Sequence, residues 1–201
     1  MYSVTLNIEK KRAVVVGGGS VAYRKIVGLL AEGAIILVIS PDVTKEIETL
    51  IEQKRVQWTA RKFEATDVFG AFLVIAATNC RNVNAQIASC CQSYQLVNIV
   101  DDPARSTFHV PAKVQRGELV ITVSTGGASP LLAKKIRDDI AVQYPEDYAD
   151  YIAFLSSARK QILTRSLAPK QRKELIRQSQ QDEYYHSLEA RHVFLQQLNR
   201  E

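Results

Sequence analysis

The stretch Lys11-Arg12-Ala13-Val14-Val15-Val16-Gly17-Gly18-Gly19-Ser20-Val21-Ala22 constrains this chain more than any other. The apolar run reads as a buried strand, and the glycines turn it directly into a helix. The spacing Gly17-x-Gly19-x-x-Ala22 is that of a dinucleotide-binding turn. Gly17 permits the tight turn, Gly19 lets backbone approach a pyrophosphate, and Ala22 allows close packing of helix on strand. Ser20 and Val21 open the helix, whose free N–H groups and positive dipole end favour an anion. The alternative is a glycine turn that holds no ligand.

Strand and helix patterns alternate up to about Val110. Ala13–Val16 leads into a helix through Ile26, Leu29 and Leu30 that ends near Gly33. Ile35–Ile39 is a second buried strand, closed by Ser40-Pro41, and a polar helix follows from about Val43 to Gln53. Val56–Thr59 and Ala71–Ala76 are further strands, with a short helix around Ala65–Phe69 between them. Asn82–Tyr94 reads as a helix with Val83, Ile87 and Cys91 on one face, and Leu96–Val100 as a fifth strand. Short apolar strands alternating with helices predict an α/β fold, a Rossmann-like parallel sheet covered on both faces.

The pattern then changes. Phe108–Val114 and Glu118–Val123 predict a β-hairpin turning at Gln115-Arg116-Gly117, with His109 inside its first strand. Ser124-Thr125-Gly126-Gly127-Ala128-Ser129-Pro130 precedes a helix from Leu131 to about Gln143. Beyond Tyr144-Pro145 the chain reads as all helical. Ala149–Leu163 is one helix, Pro169 suits the first turn of another, and a last one carries Leu188, Val193, Phe194 and Leu198. His186 and His192, six apart on a helix, share no face and make no metal-binding pair.

Composition narrows the function. Of 201 residues 46% are hydrophobic, enough for a core, yet no apolar run nears the roughly 20 residues that span a bilayer. The first residues alternate as a strand does (Tyr2, Val4, Leu6, Ile8) and do not read as a signal peptide, so a cytoplasmic location is expected. Cys80, Cys90 and Cys91 form neither a disulfide framework nor a zinc spacing and read as small buried hydrophobes. The net charge is +5, with nine Lys/Arg against five Asp/Glu from Tyr151 onward. Basic residues alternate with acids and no aromatics interleave them, which favours an anionic small substrate or a solvated face over nucleic acid.

Four constellations carry chemistry. Beside the glycine turn, the second strand ends at Ser40-Pro41-Asp42. Ser40 stands where an acid commonly receives the ribose, and Asp42 either reaches the ribose or caps a turn. No Lys or Arg adjoins Ser40 to hold a 2′-phosphate, which favours NAD over NADP. Thr78 and Asn79 follow Ala76-Ala77 at the end of the fourth strand and either bond a dinucleotide or cap the next helix. Asp101 follows the fifth strand, at the lip of the ligand crevice, where a carboxylate can serve as general base. Asp102, before Pro103, reads as a turn residue. Ser124, Thr125 and Gly126 open a backbone nest at a helix N-terminus, suited to carboxylates or phosphates, or simply cap that helix with Ser129.

Taken in order, Val14–Ala22 followed by Arg24-Lys25, then Ala76-Ala77-Thr78, Asn98-Ile99-Val100-Asp101 and Ser124–Pro130, resemble the signatures of the precorrin-2 dehydrogenases of siroheme synthesis. That family includes the N-terminal module of multifunctional siroheme synthase. The resemblance covers the whole chain, weakly toward its end. It implies oxidation of precorrin-2, a polycarboxylate tetrapyrrole, to sirohydrochlorin with NAD. It also implies a homodimer divided into a nucleotide domain (1–112), a dimerisation segment (113–147) and a helical C-terminal domain (148–201). Asp101 matches the family's key carboxylate, which takes a proton as hydride leaves the macrocycle. Ser20, Val21, Pro41 and Asp42 match nucleotide contacts. Thr125 stands where the fused enzymes have the second serine of Ser-Ser-Gly-Gly. His109 replaces an apolar residue and adds a polar contact for substrate. Arg105, Lys113, Arg116, Lys134 and Lys135 flank the nest and suit the substrate's carboxylates or are ordinary solvated charge. Some family members are bifunctional and also insert ferrous iron. A non-catalytic NAD-sensing module is the reading from another class.

Overall fold

The computed structural model describes residues 2–200, with backbone alone at 200. The chain divides into two compact units, one ending at Val110 and the other starting at Pro111.

The first unit alternates β1 (Arg12–Val16), α1 (Ser20–Ala31), β2 (Ile35–Ile39), α2 (Lys45–Glu52), β3 (Gln57–Thr59), a 3-10 turn (Ala65–Val68), β4 (Leu73–Ala76), α3 (Arg81–Cys90) and β5 (Leu96–Ile99). All five strands are parallel, in the order β3-β2-β1-β4-β5. The apolar runs explain this. With both sheet faces covered, alternate residues of one strand enter two cores. Ala13 and Val15 pack with Ala22 and Ile26 of α1 and Ile47 and Leu50 of α2. Val14 and Val16 pack on the other side with Val68 and with Ile87 of α3. Burying each such Val or Ile contributes about 1.5–3 kcal/mol. The strand order reverses between β1 and β4, and the crevice of an open α/β sheet lies at the carboxyl ends of two such strands.

An ion pair braces the approach to β4. Arg61 grips Asp67 through two bonds of 2.6 and 2.9 Å, and Glu64 N–H donates to the same carboxylate at 2.8 Å. Arg12 donates to the backbone carbonyls of Asp67 and Phe69. The Arg61 bond holds the Asp67 carboxyl below its ordinary value of 3.8. The unfolded chain therefore binds the proton more readily, and the ion pair's stabilisation is complete above about pH 3.8 and fades as pH falls through the lower folded value. Asp67→Asn is expected to be less stable than the parent at neutral pH, with the gap closing below that value. Urea unfolding across pH checks this, and a pH-independent gap contradicts it.

Several expectations need correction here. Tyr2–Asn7 join no strand and are exposed; only Ile8 enters the core. The alternation has no ladder to join. α3 ends at Cys90, because buried Gln95 turns the chain: it accepts from Gln92 N–H at 2.8 Å and donates to the Val68 and Ala71 carbonyls, each at 2.7 Å. Cys80 is exposed. Cys90 and Cys91 are half-buried at the end of α3, against the margin of a core, so none of the three is a fully buried hydrophobe.

The second unit begins with an antiparallel hairpin of β6 (Ala112–Arg116) and β7 (Leu119–Val123). Its turn is the two-residue Gly117-Glu118, one step later than predicted. Gly117 has φ +57°, which the first position of a primed turn demands. β6 starts after His109, so that histidine lies outside the strand, and Phe108 packs in the first unit's core. Next come α4 (Pro130–Gln143), α5 (Tyr148–Thr164), α6 (Pro169–Gln178), α7 (Asp182–His186) and α8 (Leu188–Arg200). Ser129 caps α4 by accepting from Leu132 N–H at 3.2 Å, and Pro130 takes the first helical position. α5, α7 and α8 share an aromatic core of Tyr151, Phe154, Tyr184 and Phe194. Buried Arg191 donates to the Tyr184 and Tyr185 carbonyls at the end of α7 and sits 5.6 Å from the Tyr151 ring centre. A cation there favours the negative helix end. The sequence pattern does not separate α7 from α8, and in the structure His186 and His192 lie on these two helices.

Among the described residues no helix is long and apolar enough to cross a membrane. No group of three or more His, Cys, Asp or Glu is placed to hold a metal ion among them.

Candidate functional site

The glycine turn joins three chain segments. Gly17 has φ +120°, donates to the Ile39 carbonyl at 2.9 Å, and would place a Cβ 2.2 Å from the Ala77 carbonyl oxygen. Gly18 would place one 2.0 Å from the Asp42 carbonyl oxygen, and its own carbonyl accepts from Thr44 N–H at 2.9 Å. In sequence Gly18 reads as a mere spacer; here it lets the loop after β2 close onto the turn.

Gly19 differs from both. Its backbone is ordinary and extended, and a Cβ on it meets nothing within 4 Å. It is the N-cap of α1 and provides no side-chain cap. From Gly18 to Ala22 no backbone N–H finds an acceptor among the described residues. Open space over a row of unpaired donors at a helix start is what a pyrophosphate needs. Pro41 and Asp42 are exposed in the adjoining loop. Asp42 does not cap α2, whose N-cap is Thr44, and its carboxylate has no partner among the described residues. Ser40's carbonyl is held by Trp58 Nε1–H at 2.9 Å.

The ends of β4 and β5 carry the polar cluster. The N–H and hydroxyl of Thr78 donate to Asn84 Oδ1 at 3.1 and 2.7 Å. Asn84 Nδ2 donates to the Thr78 carbonyl at 3.0 Å and to Asp101 Oδ1 at 2.9 Å. Asp101 is exposed, and its second oxygen has no partner among the described residues. Asp102 is the turn residue expected: it caps the 3-10 turn Pro103–Arg105, and its bond from Arg105 holds its carboxyl below the usual range. His109 Nε2 lies 3.0 Å from the Pro103 carbonyl, which requires the proton on that nitrogen. Asn79 does not cap α3; Cys80 holds that position.

The loop Ser124–Ser129, in the second unit, closes largely on itself. Ser124 Oγ accepts from Gly126 N–H at 3.2 Å. Thr125 Oγ1 accepts from Ser129 N–H and donates to the Ser129 carbonyl, both at 3.1 Å. Gly126 and Gly127 supply the left-handed φ values, +62° and +90°, that curl the loop. Two of the cations that the sequence offered for the substrate are already engaged. Arg105 pairs with Asp102 at 2.7 Å, and Arg116 donates to the Tyr144 carbonyl at 2.8 Å and pairs with Glu146 at 3.1 Å. Lys134 and Lys135 are exposed on α4.

Over 200 residues the chain is 34% identical to a precorrin-2 dehydrogenase of Priestia megaterium, covering 100% of this chain and 99% of that one. The chain belongs to the precorrin-2 dehydrogenase family. A solved structure of "SirC, precorrin-2 dehydrogenase" shares its fold with a TM-score of 0.88 at 34% identity, over the full length of both chains. A family relative, the precorrin-2 dehydrogenase of Bacillus subtilis strain 168, is 36% identical over 160 residues, 80% of this chain and 99% of that one. The family model described as "Putative NAD(P)-binding" matches residues 4–112, and "Sirohaem biosynthesis protein central" matches 116–143. Both the Rossmann-like parallel sheet and the C-terminal helices follow this family's fold.

Sequence reasoning missed Asn84. It sits among apolar residues on the buried side of α3 and is 0% exposed. A polar residue sharing the face of Val83 and Ile87 was the available signal, since a buried amide must find partners.

Proposed function

We propose that this protein oxidises precorrin-2 to sirohydrochlorin with NAD, using Asp101 as general base. The observation that carries the proposal is the free oxygen of Asp101, on the same sheet lip as the unpaired donors and open space at Gly19. When bound, the nicotinamide supplies an acceptor for one hydride from the macrocycle. The second hydrogen leaves as a proton, which Asp101 takes, so the two hydrogens lost by the substrate are both accounted for.

Gly17 and Gly19 shape the cradle, and the N–H groups of Ser20 and Val21 hold the pyrophosphate. Pro41 and the unpartnered Asp42 line the ribose. Thr78 underlies the dinucleotide by packing alone, since Asn84 occupies its hydroxyl, its N–H and its carbonyl. NAD is favoured over NADP because Asp42 repels a 2′-phosphate and no Lys or Arg neighbours Ser40 in the sequence. Ser124, Thr125, Gly126 and His109 meet the substrate's carboxylates. The active form is a homodimer built through 113–147, with 1–112 as the nucleotide domain and 148–201 as a helical domain. It works in the cytoplasm on a small anionic substrate, with no nucleic acid or membrane partner.

The test is precorrin-2 with NAD, followed by visible absorption with and without ferrous ion. Appearance of sirohydrochlorin without metal is expected. NAD binding with no spectral change would favour a sensor instead, and accelerated metal insertion would add a chelatase activity.

A further inference from the structure

We propose that Asn84 is the positioning residue for Asp101, and that it ties the carboxylate to the loop after β4 through a single amide. The inference rests on Asp101 being the base. A backbone N–H can only donate, so the atom 3.1 Å from Thr78 N must be the carbonyl oxygen of Asn84. The Thr78 hydroxyl meets that same oxygen. The amide plane is thereby fixed, and Nδ2 has nowhere to point except the Thr78 carbonyl and Asp101 Oδ1. Both of its protons are used.

Asp101 has no comparable restraint of its own. It lies exposed on the turn after β5, and the Asn84 bond is the only hydrogen bond its carboxylate makes among the described residues. Asn84, by contrast, is fully buried on α3. A rigid interior group thus holds one oxygen of a surface carboxylate and leaves the other as the sole proton acceptor. Because the same amide bonds both polar atoms of the Thr78 backbone, it also sets the spacing between the loops after β4 and β5. Hydride and proton transfer need that spacing held closely, since a displacement near 1 Å can cost about 100-fold in rate.

Asn84→Asp separates this role from mere support of the fold. An aspartic acid in place of Asn84 keeps the acceptor facing Thr78 but has at most one proton where Nδ2 had two. It can satisfy the Thr78 carbonyl or Asp101, not both. Turnover of precorrin-2 is expected to fall about 10- to 100-fold, mostly in kcat, with KM for NAD little changed. The deciding measurement is a double-mutant cycle with Asp101→Asn. If Asn84 acts through Asp101, N84D costs no more than about twofold in the D101N background. The double variant should also regain part of the melting temperature lost by N84D, because the amide introduced by D101N can then donate to the carboxylate introduced by N84D. An equal fold-loss from N84D in both backgrounds would overturn the positioning role. D101N retaining parental turnover would instead overturn the base assignment itself, whatever N84D did.

Discussion

Exchanging Asp101 for asparagine is expected to cut precorrin-2 turnover about 1,000-fold while leaving NADH affinity within about threefold of the parent. The size follows from the usual worth of a positioned general base, roughly 10²–10⁴ in rate. The change is structurally quiet. Asparagine can still accept the Asn84 N–H through its oxygen, so the hydrogen bond of 2.9 Å survives. What disappears is the second oxygen, replaced by an amide nitrogen that cannot take a proton. Visible absorption of sirohydrochlorin reads the turnover. Binding can be read independently through the chain's one tryptophan, Trp58, which is bonded to the Ser40 carbonyl beside the proposed ribose site. Energy transfer from it to bound NADH should persist in the variant. A D101N protein with parental turnover would end the general-base assignment.

Two neighbouring glycines should fail in opposite ways. Gly18→Ala forces a Cβ to within 2.0 Å of the Asp42 carbonyl oxygen, which is backbone and cannot swing aside. Overpacking of this kind costs about 1–3 kcal/mol, enough to lower the melting temperature by roughly 10 °C. Gly19→Val sets its Cβ where no atom beyond the chain neighbours lies within 4 Å, in a backbone conformation open to any residue. It should melt only a few degrees below the parent, the cost of a valine at an N-cap, yet bind NADH about 100-fold more weakly, because its side chain fills the space a pyrophosphate would take. Calorimetry and NADH titration on the two variants separate the effects. Parental NADH affinity in Gly19→Val would show that the dinucleotide does not lie over this turn.

The contrast between these glycines shows what sequence conveys and what it cannot. The strands were legible because residues such as Val14 and Val15 are apolar without alternation, which only a sheet covered on both faces explains. Gly19 was legible because its role is local, at the start of one helix. Gly18 and Asn84 were not, since each acts on residues brought close only by folding: Asp42 for one, Thr78 and Asp101 for the other. The cysteines misled for a related reason. Helical periodicity continues on paper past Cys91, but Gln95 spends its amide on the carbonyls of Val68 and Ala71, and the helix stops. In the last fifty or so residues a short helix with its own end, Asp182–His186, was hidden because Ser187 breaks the pattern with neither glycine nor proline.

The strap between Gly18 and the loop after β2 has a consequence for redesign. Asp42 meets the turn with its main chain, its carbonyl lying close against Gly18, and its exposed side chain has no partner among the described residues. With Asp42 as the proposed ribose contact, scaffold and selectivity would fall to different atoms of one residue. On that proposal, coenzyme choice could be retuned at this position without reopening the architecture beneath it, a separation that a buried, hydrogen-bonded acid at the end of β2 would not permit.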